Sequence, residues 1–276
     1  MWFYYLVAYF FIYAFLGWCL EVAYQAVTKG KLINRGFLNG PVCPIYGFGM
    51  VSVLIILSPV LDKKWLLFGG GIVIATVIEL FGGWALDKMF HMRWWDYSEE
   101  PFNLNGYICL KFCILWGITV VFSVKYFHAF ISKMVHYVPF YVGVVVLVLC
   151  SIAMICDLIV TYKTVIGIKR DLKEIQKVAK TLRDISDNLT EKVGKTALEA
   201  AERSDEFKDE FKDEFSDMSD NVKTQMADFG KKYEELVQRL SIKSKRMLKA
   251  YPKWHISGQT KRIEEYFKNI YFTVKK

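Results

Sequence analysis

The sequence predicts an all-α protein: a polytopic membrane helix bundle of about five transmembrane helices, followed by a long amphipathic, coiled-coil-like tail. Three observations predict it. Charge is split between two parts of the chain: residues 1–162 hold ten Lys/Arg and eight Asp/Glu, whereas the 114 residues from 163 onward hold twenty-six and twenty. The first part carries five apolar runs close to the ~20 residues that take a helix across a ~30 Å hydrocarbon core. Two motifs in it also recur at one gap-free offset. "GWCLE" at 17–21 returns as "GWALD" at 83–87, and "LNGPVC" at 38–43 returns as "LNGYIC" at 104–109, each sixty-six residues on.

The runs cover about 2–27, 44–61, 65–86, 104–125 and 139–162. Only Met1 precedes the first, with no basic segment or small-residue cleavage pattern, so it reads as a retained anchor. The second is short and contains Gly47, Gly49, Ser58 and Pro59, which predicts irregular ends. The third and fourth repeat the order of the first and second, so the first four spans read as a tandem two-helix repeat with copies at about 1–61 and 65–126. The fifth leads into the charged region, which divides into 163–250 and a basic, aromatic segment at 251–276.

Basic residues set the expected orientation. Lys29, Lys31 and Arg35 lie in the first loop, Lys88 and Arg93 in or beside the third, and Lys163, Lys169, Arg170 and Lys173 open the tail. Lys63, Lys64, Lys125 and Lys133 belong to the second and fourth loops, so the tail decides the balance. The reading is N-terminus outside, and loops one and three and the tail in the cytoplasm of a bacterial cell.

Both repeated loops then meet on one face, and the residues that are expensive in a membrane gather near it. Glu21 and Glu79 sit inside apolar spans, and Lys111 stands just inside the fourth. Around them, Asn34, Arg35, Asn39, Tyr46, Asp96, Tyr97, Asn103 and Asn105 complete a candidate polar site. Gly17, Trp18, Gly36, Gly40, Pro41, Cys43, Pro44, Gly83, Trp84, Trp95, Gly106 and Cys109 form the repeated structural motif around it. Interfacial anchoring would explain the tryptophans alone; it does not require Asn/Gly loops or acids within spans. The second copy has Tyr107 and Leu110 where the first has Pro41 and Pro44, so the two loops should bend differently. Six cysteines at 19, 43, 109, 113, 150 and 156 lie in or beside apolar runs without a CxxC or Cys/His pattern, and read as free buried thiols. Neither a metal nor a cofactor is expected.

The strings "GWCLEVAY", "NRGFLNGPVCPIYGFG", "IELFGGWALD" and "RWWDYSEEPFNLNGYICLKFCILWG" resemble, in order over about 5–125, the ABC-transporter type IV permease family of small bacterial membrane proteins. The family-like positions are Gly17, Trp18, Glu21, Asn34, Arg35, Gly36, Gly40, Pro41, Pro44, Tyr46, Gly47, Glu79, Trp95, Asp96, Tyr97, Asn103, Gly106 and Gly117. The resemblance implies a permease-like transport component.

The tail carries apolar residues at helical spacing: Ile168, Leu172, Ile175, Ala179, Leu182, Leu189 and Val193, then Phe207, Phe211, Phe215, Met218, Val222, Met226, Phe229, Tyr233, Leu236 and Leu240. This 168–240 stripe predicts self-association as a homodimer, either as one long helix or as a hairpin broken near Gly194 or Gly230. The terminal segment suits anionic lipid rather than nucleic acid. "GKT" at 194–196 lacks the earlier glycine of a phosphate loop, and "EAA" at 199–201 lies in the tail, so ATP-driven transport would need a separate ATPase subunit. Three functions compete. One is a transport subunit without its own ATPase. The second is an amphiphile-binding protein or membrane enzyme with a cytoplasmic-face site, although no catalytic order names a reaction. The third is a membrane-anchored coiled-coil scaffold.

Overall fold

A computed structural model describes residues 1–30, 32–91, 93–202, 224, 227–236, 238–239, 246–247 and 250. The chain divides into two compact units, one holding Met1–Val165 and the described residues from Arg246 on, the other the chain from Ile166 to Lys245.

In the first unit, helix α1 runs Trp2–Lys29 and ends where Gly30 turns into the left-handed region (φ 64°) and its N–H bonds the Ala26 carbonyl at 3.0 Å. Helix α2, Pro44–Ile56, starts with proline at its first position after an extended Cys43, where the missing N–H costs nothing. A 3₁₀ turn at Ser58–Val60 leads to α3, Lys64–Phe90. A two-residue hairpin follows, β1 Asn103–Leu104 and β2 Ile108–Cys109, paired antiparallel with Asn103 opposite Cys109. Helix α4, Leu110–Phe122, widens into a π-helical segment at Ser123–His128 and continues as α5, Ala129–Tyr137. Helix α6 then runs unbroken over Phe140–Glu202. The all-α class therefore holds.

Four helices are long and apolar enough to cross a membrane: α1, α3, the continuous Leu110–Tyr137 rod and α6. The stretch expected as a second span forms only the 13-residue α2. At 1.5 Å per residue this is about 20 Å, short of a ~30 Å hydrocarbon core. The stretch expected as the fourth span starts later and ends later than 104–125. Asn105 and Gly106 both take positive φ (51° and 72°), and Tyr107 N–H closes the turn on the Leu104 carbonyl at 3.1 Å. Two consecutive positive-φ residues make a hairpin and forbid a helix there. Lys111 sits in the first turn of α4, at the very start of the Leu110–Tyr137 segment, exposed and 3.4 Å from Glu100.

α1 packs along α2, and α3 along α4. A Cβ on Gly47 would fall 2.6 Å from the Phe10 carbonyl oxygen, so only glycine lets the first pair approach this closely. In the second pair, Thr76 Oγ1 donates to Cys113 Sγ at 3.2 Å, and these two residues lie sixty-six positions beyond Phe10 and Gly47. α2 and α4 are both thirteen residues long, start sixty-six apart, and each follows an extended cysteine. The core of this unit gathers Ala8, Tyr9, Tyr13, Met50, Val53, Leu67, Val124, Ile131 and Val135.

In the second unit, Ile175 and Val178 of α6 pack with Leu236, Phe229 and Tyr233, so the apolar stripe folds onto itself there. Gly194 lies within α6 and does not break it. "GKT" and "EAA" are both part of that helix, which follows α5 rather than a strand, so among the described residues neither string lies in a loop. The Phe207–Phe215 stripe and the 251–276 segment lie outside the described residues.

Candidate functional site

The candidate residues separate into an interior cluster and a set of loop-building side chains. The interior cluster begins at Gly17, where the absence of a side chain leaves room for the Tyr46 ring; a Cβ would overlap it. Seated there, Tyr46 donates its hydroxyl to Glu21 Oε1 at 2.7 Å. The same ring meets the indole of Trp116 edge-on, with centroids 5.5 Å apart. Trp116 Nε1–H donates to Glu79 Oε2 at 3.2 Å, and Tyr97 donates to Glu79 Oε1 at 3.0 Å. One line of contact thus joins Glu21 on α1 to Glu79 on α3 through α2 and α4, and ends on the third loop. Glu79 is buried. The hydrogen-bond partners of both carboxylates are neutral donors, which satisfy lone pairs without supplying a counter-charge.

Tyr97 stacks on Phe112 with centroids 4.6 Å apart, and burial together with the neighbouring Glu79 raises its phenol well above the ordinary tyrosine value. Burial and then the charge of Glu21 push the Cys43 thiol up to about 12, so it stays protonated and is no thiolate nucleophile. All six cysteines are free. Among the described residues no group of His, Cys, Asp and Glu is arranged to hold a metal ion.

The asparagines do structural work in the loops. Asn34 Oδ1 accepts from Trp18 Nε1 at 3.0 Å and from Gly36 N–H at 2.9 Å, while its Nδ2 reaches the Asn39 carbonyl. Asn103 Oδ1 accepts from Gly106 N–H at 3.1 Å, and its Nδ2 donates to the carbonyls of Ser98 and Glu100. Asn105 supplies the first positive-φ position of the hairpin turn. Asp96 accepts from Ser98 N–H at 3.0 Å and pairs with Arg93 at 3.3 Å. Burial pushes the Asp96 carboxyl upward, but the Ser98 hydrogen bonds and the Arg93 charge outweigh it and hold it below the ordinary aspartate value. Trp95 Nε1–H donates to the Tyr107 carbonyl, and its ring lies against Gly83. Arg35 NH2 donates to the Trp94 carbonyl at 3.4 Å, and Phe37 packs on Phe90 and Trp94, so loops one and three meet. The two loops do bend differently: the first has no hairpin and turns where Val42 N–H bonds the Gly40 carbonyl.

Sequence reasoning missed four contributors. Trp116 read as one more aromatic in an apolar run. Asp157 on α6 accepts from Asn39 N–H, Asn39 Nδ2 and Gly40 N–H at 3.2, 2.8 and 2.7 Å, and Thr161 accepts from Asn39 Nδ2 at 2.9 Å. A lone aspartate near the end of the last span was the available signal. Arg246 donates to Asn39 Oδ1 and the Gly36 carbonyl, both at 3.0 Å.

A family model described as "Putative ABC-transporter type IV" matches residues 8–162. The chain belongs to this family. The match takes in the interior cluster, both repeated loops, Asp157 and Thr161, and stops before the tail. No curated protein and no solved structure matches the chain. Membership of the ABC-transporter type IV family and four helices of membrane-crossing length and composition mark the chain as a membrane protein of transporter type.

Proposed function

We propose that the protein is a transport-associated membrane subunit without an ATPase of its own, working with a separate ABC ATPase. One observation carries the reading beyond family membership: the contact line Glu21–Tyr46–Trp116–Glu79–Tyr97 crosses from one helix pair to the other inside an apolar bundle. Carboxylates at such depth cost a few kcal/mol and are kept where a polar path is needed. In this reading α1–α2 and α3–α4 are duplicated halves, and the path opens or closes as they shift against each other. On this reading the N-terminus is outside and the tail cytoplasmic, because the basic residues that open the tail at Lys163, Lys169, Arg170 and Lys173 tip a nearly even balance between the loops. Self-association through the 168–240 stripe, and anionic lipid under the terminal segment, belong to the same proposal.

The test is recovery of a nucleotide-binding subunit. Affinity-tagged protein crosslinked in its native membrane should bring down an ABC ATPase identifiable by mass spectrometry. Repeated recovery of the chain without one would overturn the reading.

A further inference from the structure

The α1 helix carries a second polar feature that the interior cluster does not use. Tyr5, Tyr9, Tyr13, Gly17, Glu21 and Gln25 follow one another at four-residue spacing. Each step advances about 40° beyond a full turn, so the row winds around the helix while covering about 30 Å along it, the thickness of a hydrocarbon core. Its partners change accordingly. The first three residues meet the π-helical segment and α5; the next two meet α2.

The α5 side forms a ladder. The Tyr5 ring stacks on His136 with centroids 4.3 Å apart. Tyr9 donates its hydroxyl to Ser132 Oγ at 3.1 Å and packs edge-on to His128 at 4.9 Å. Tyr13 Oη and His128 Nδ1 lie 3.2 Å apart, within hydrogen-bond distance, with the imidazole tautomer deciding which of them donates. His136 Nδ1–H donates to the Ser132 carbonyl at 2.7 Å. His128 closes the π-helical segment, whose extra residue per turn rotates the following α5 relative to α4, and such segments cluster at functional sites. Farther along the row, Glu21 holds the Tyr46 hydroxyl, and Gln25 is 1 % exposed with no hydrogen-bond partner for its Oε1 among the described residues. A buried amide oxygen left open costs stability unless something else fills it.

Interhelical hydrogen bonds alone could glue α1 to α5. Glue does not call for three phenols, a carboxylate and an open amide in one winding row, with two imidazoles of the facing segment set against it. We propose that this row is a proton-transfer lane with two stations. The His128 station is served by Tyr9, Tyr13, Ser132 and His136. The Glu21 station is served by Tyr46 and coupled through Trp116 to Glu79 and Tyr97. Gly17 separates the stations, and the step between them is made through water admitted when the Tyr46 ring leaves its glycine seat. One proton enters on one side of the membrane for each that leaves on the other, and nothing is oxidised or reduced. The inference rests on the transport reading and names the proton as the transported or coupling ion.

The full chain in proteoliposomes with an internal pH-sensitive dye tests it. A valinomycin-set potassium potential, negative inside, should acidify the lumen at least tenfold faster than in protein-free vesicles. His128→Gln keeps a hydrogen-bonding amide but cannot carry the proton, and should return the rate to that of empty vesicles. Tyr13→Phe, which removes only an oxygen, should lower it severalfold. Wild-type flux no faster than empty vesicles, or flux unchanged by both substitutions in correctly inserted protein, would overturn the lane. An ATPase recovered from membranes alongside absent proton flux would remove this inference and leave the transport reading standing.

Discussion

Tyr46 and Gly17 are complementary: the ring of one occupies the volume that any side chain on the other would need, and this seat directs the Tyr46 hydroxyl onto Glu21 at 2.7 Å. The residue without a side chain therefore positions the acid's partner. Gly17→Ala is expected to cost about 1–3 kcal/mol, as overpacking does, and Tyr46→Phe about 1 kcal/mol, as loss of one hydrogen bond does. Thermal melting in detergent should rank Gly17→Ala as the more damaging. The reverse order would mean that the ring moves aside freely.

Glu79 accepts from two donors on different elements, Tyr97 in the third loop and Trp116 on α4. Glu79→Gln keeps an acceptor oxygen, whereas Glu79→Leu leaves a phenol and an indole N–H without theirs, at about 1–3 kcal/mol for each buried group. The leucine variant should melt well below the glutamine variant and shift tryptophan emission. Equal melting of the two would show that neither donor depends on the carboxylate.

Asp157 holds two backbone N–H groups of the first repeated loop and the side chain between them. Asp157→Ala should raise amide exchange across residues 34–43 by about tenfold or more, since each lost bond is worth about 1 kcal/mol. Exchange in 96–109 should stay as it was. Unchanged protection of 34–43 would mean that Asn34 and Arg246 suffice to hold the loop.

Asp96 has its carboxyl lowered in the folded protein, so its contribution to the third loop is present above the unfolded value of about 3.9. That contribution is lost as pH falls through the lower folded value. Protection of Ser98 should persist at pH 5 and decline well below pH 4, and Asp96→Asn should abolish the acid-dependent step. The side chain is 53 % exposed, so the effect on global stability is small.

The chain's broad architecture was legible because membrane insertion imposes long apolar runs and charge asymmetry that survive any packing detail. The acids were legible for the same reason: Glu21 and Glu79 stand out against apolar neighbours. Of their partners, Tyr46 and Tyr97 were named beside them from the loop motifs, whereas Trp116 was not. It belongs to a residue type that a lipid boundary also favours, so type alone does not separate a donor from a belt residue. Tyr9 and Tyr13 were hidden in the same way, since only the fold brings His128 and Ser132 opposite them. Asp157 is 118 residues from Asn39, beyond any local pattern. The hairpin at 103–109 could have been read from Asn105–Gly106, but the apolar residues after it drew the span across the turn.

The thirteen residues of α2 leave one wall of the bundle roughly 10 Å lower than the hydrocarbon around it. A bilayer meeting that wall has to thin, or let headgroups and water dip toward the Tyr46 end of the helix. The protein would then act on lipid shape as well as on whatever passes it, and it would settle with least strain in the thinner patches of its membrane.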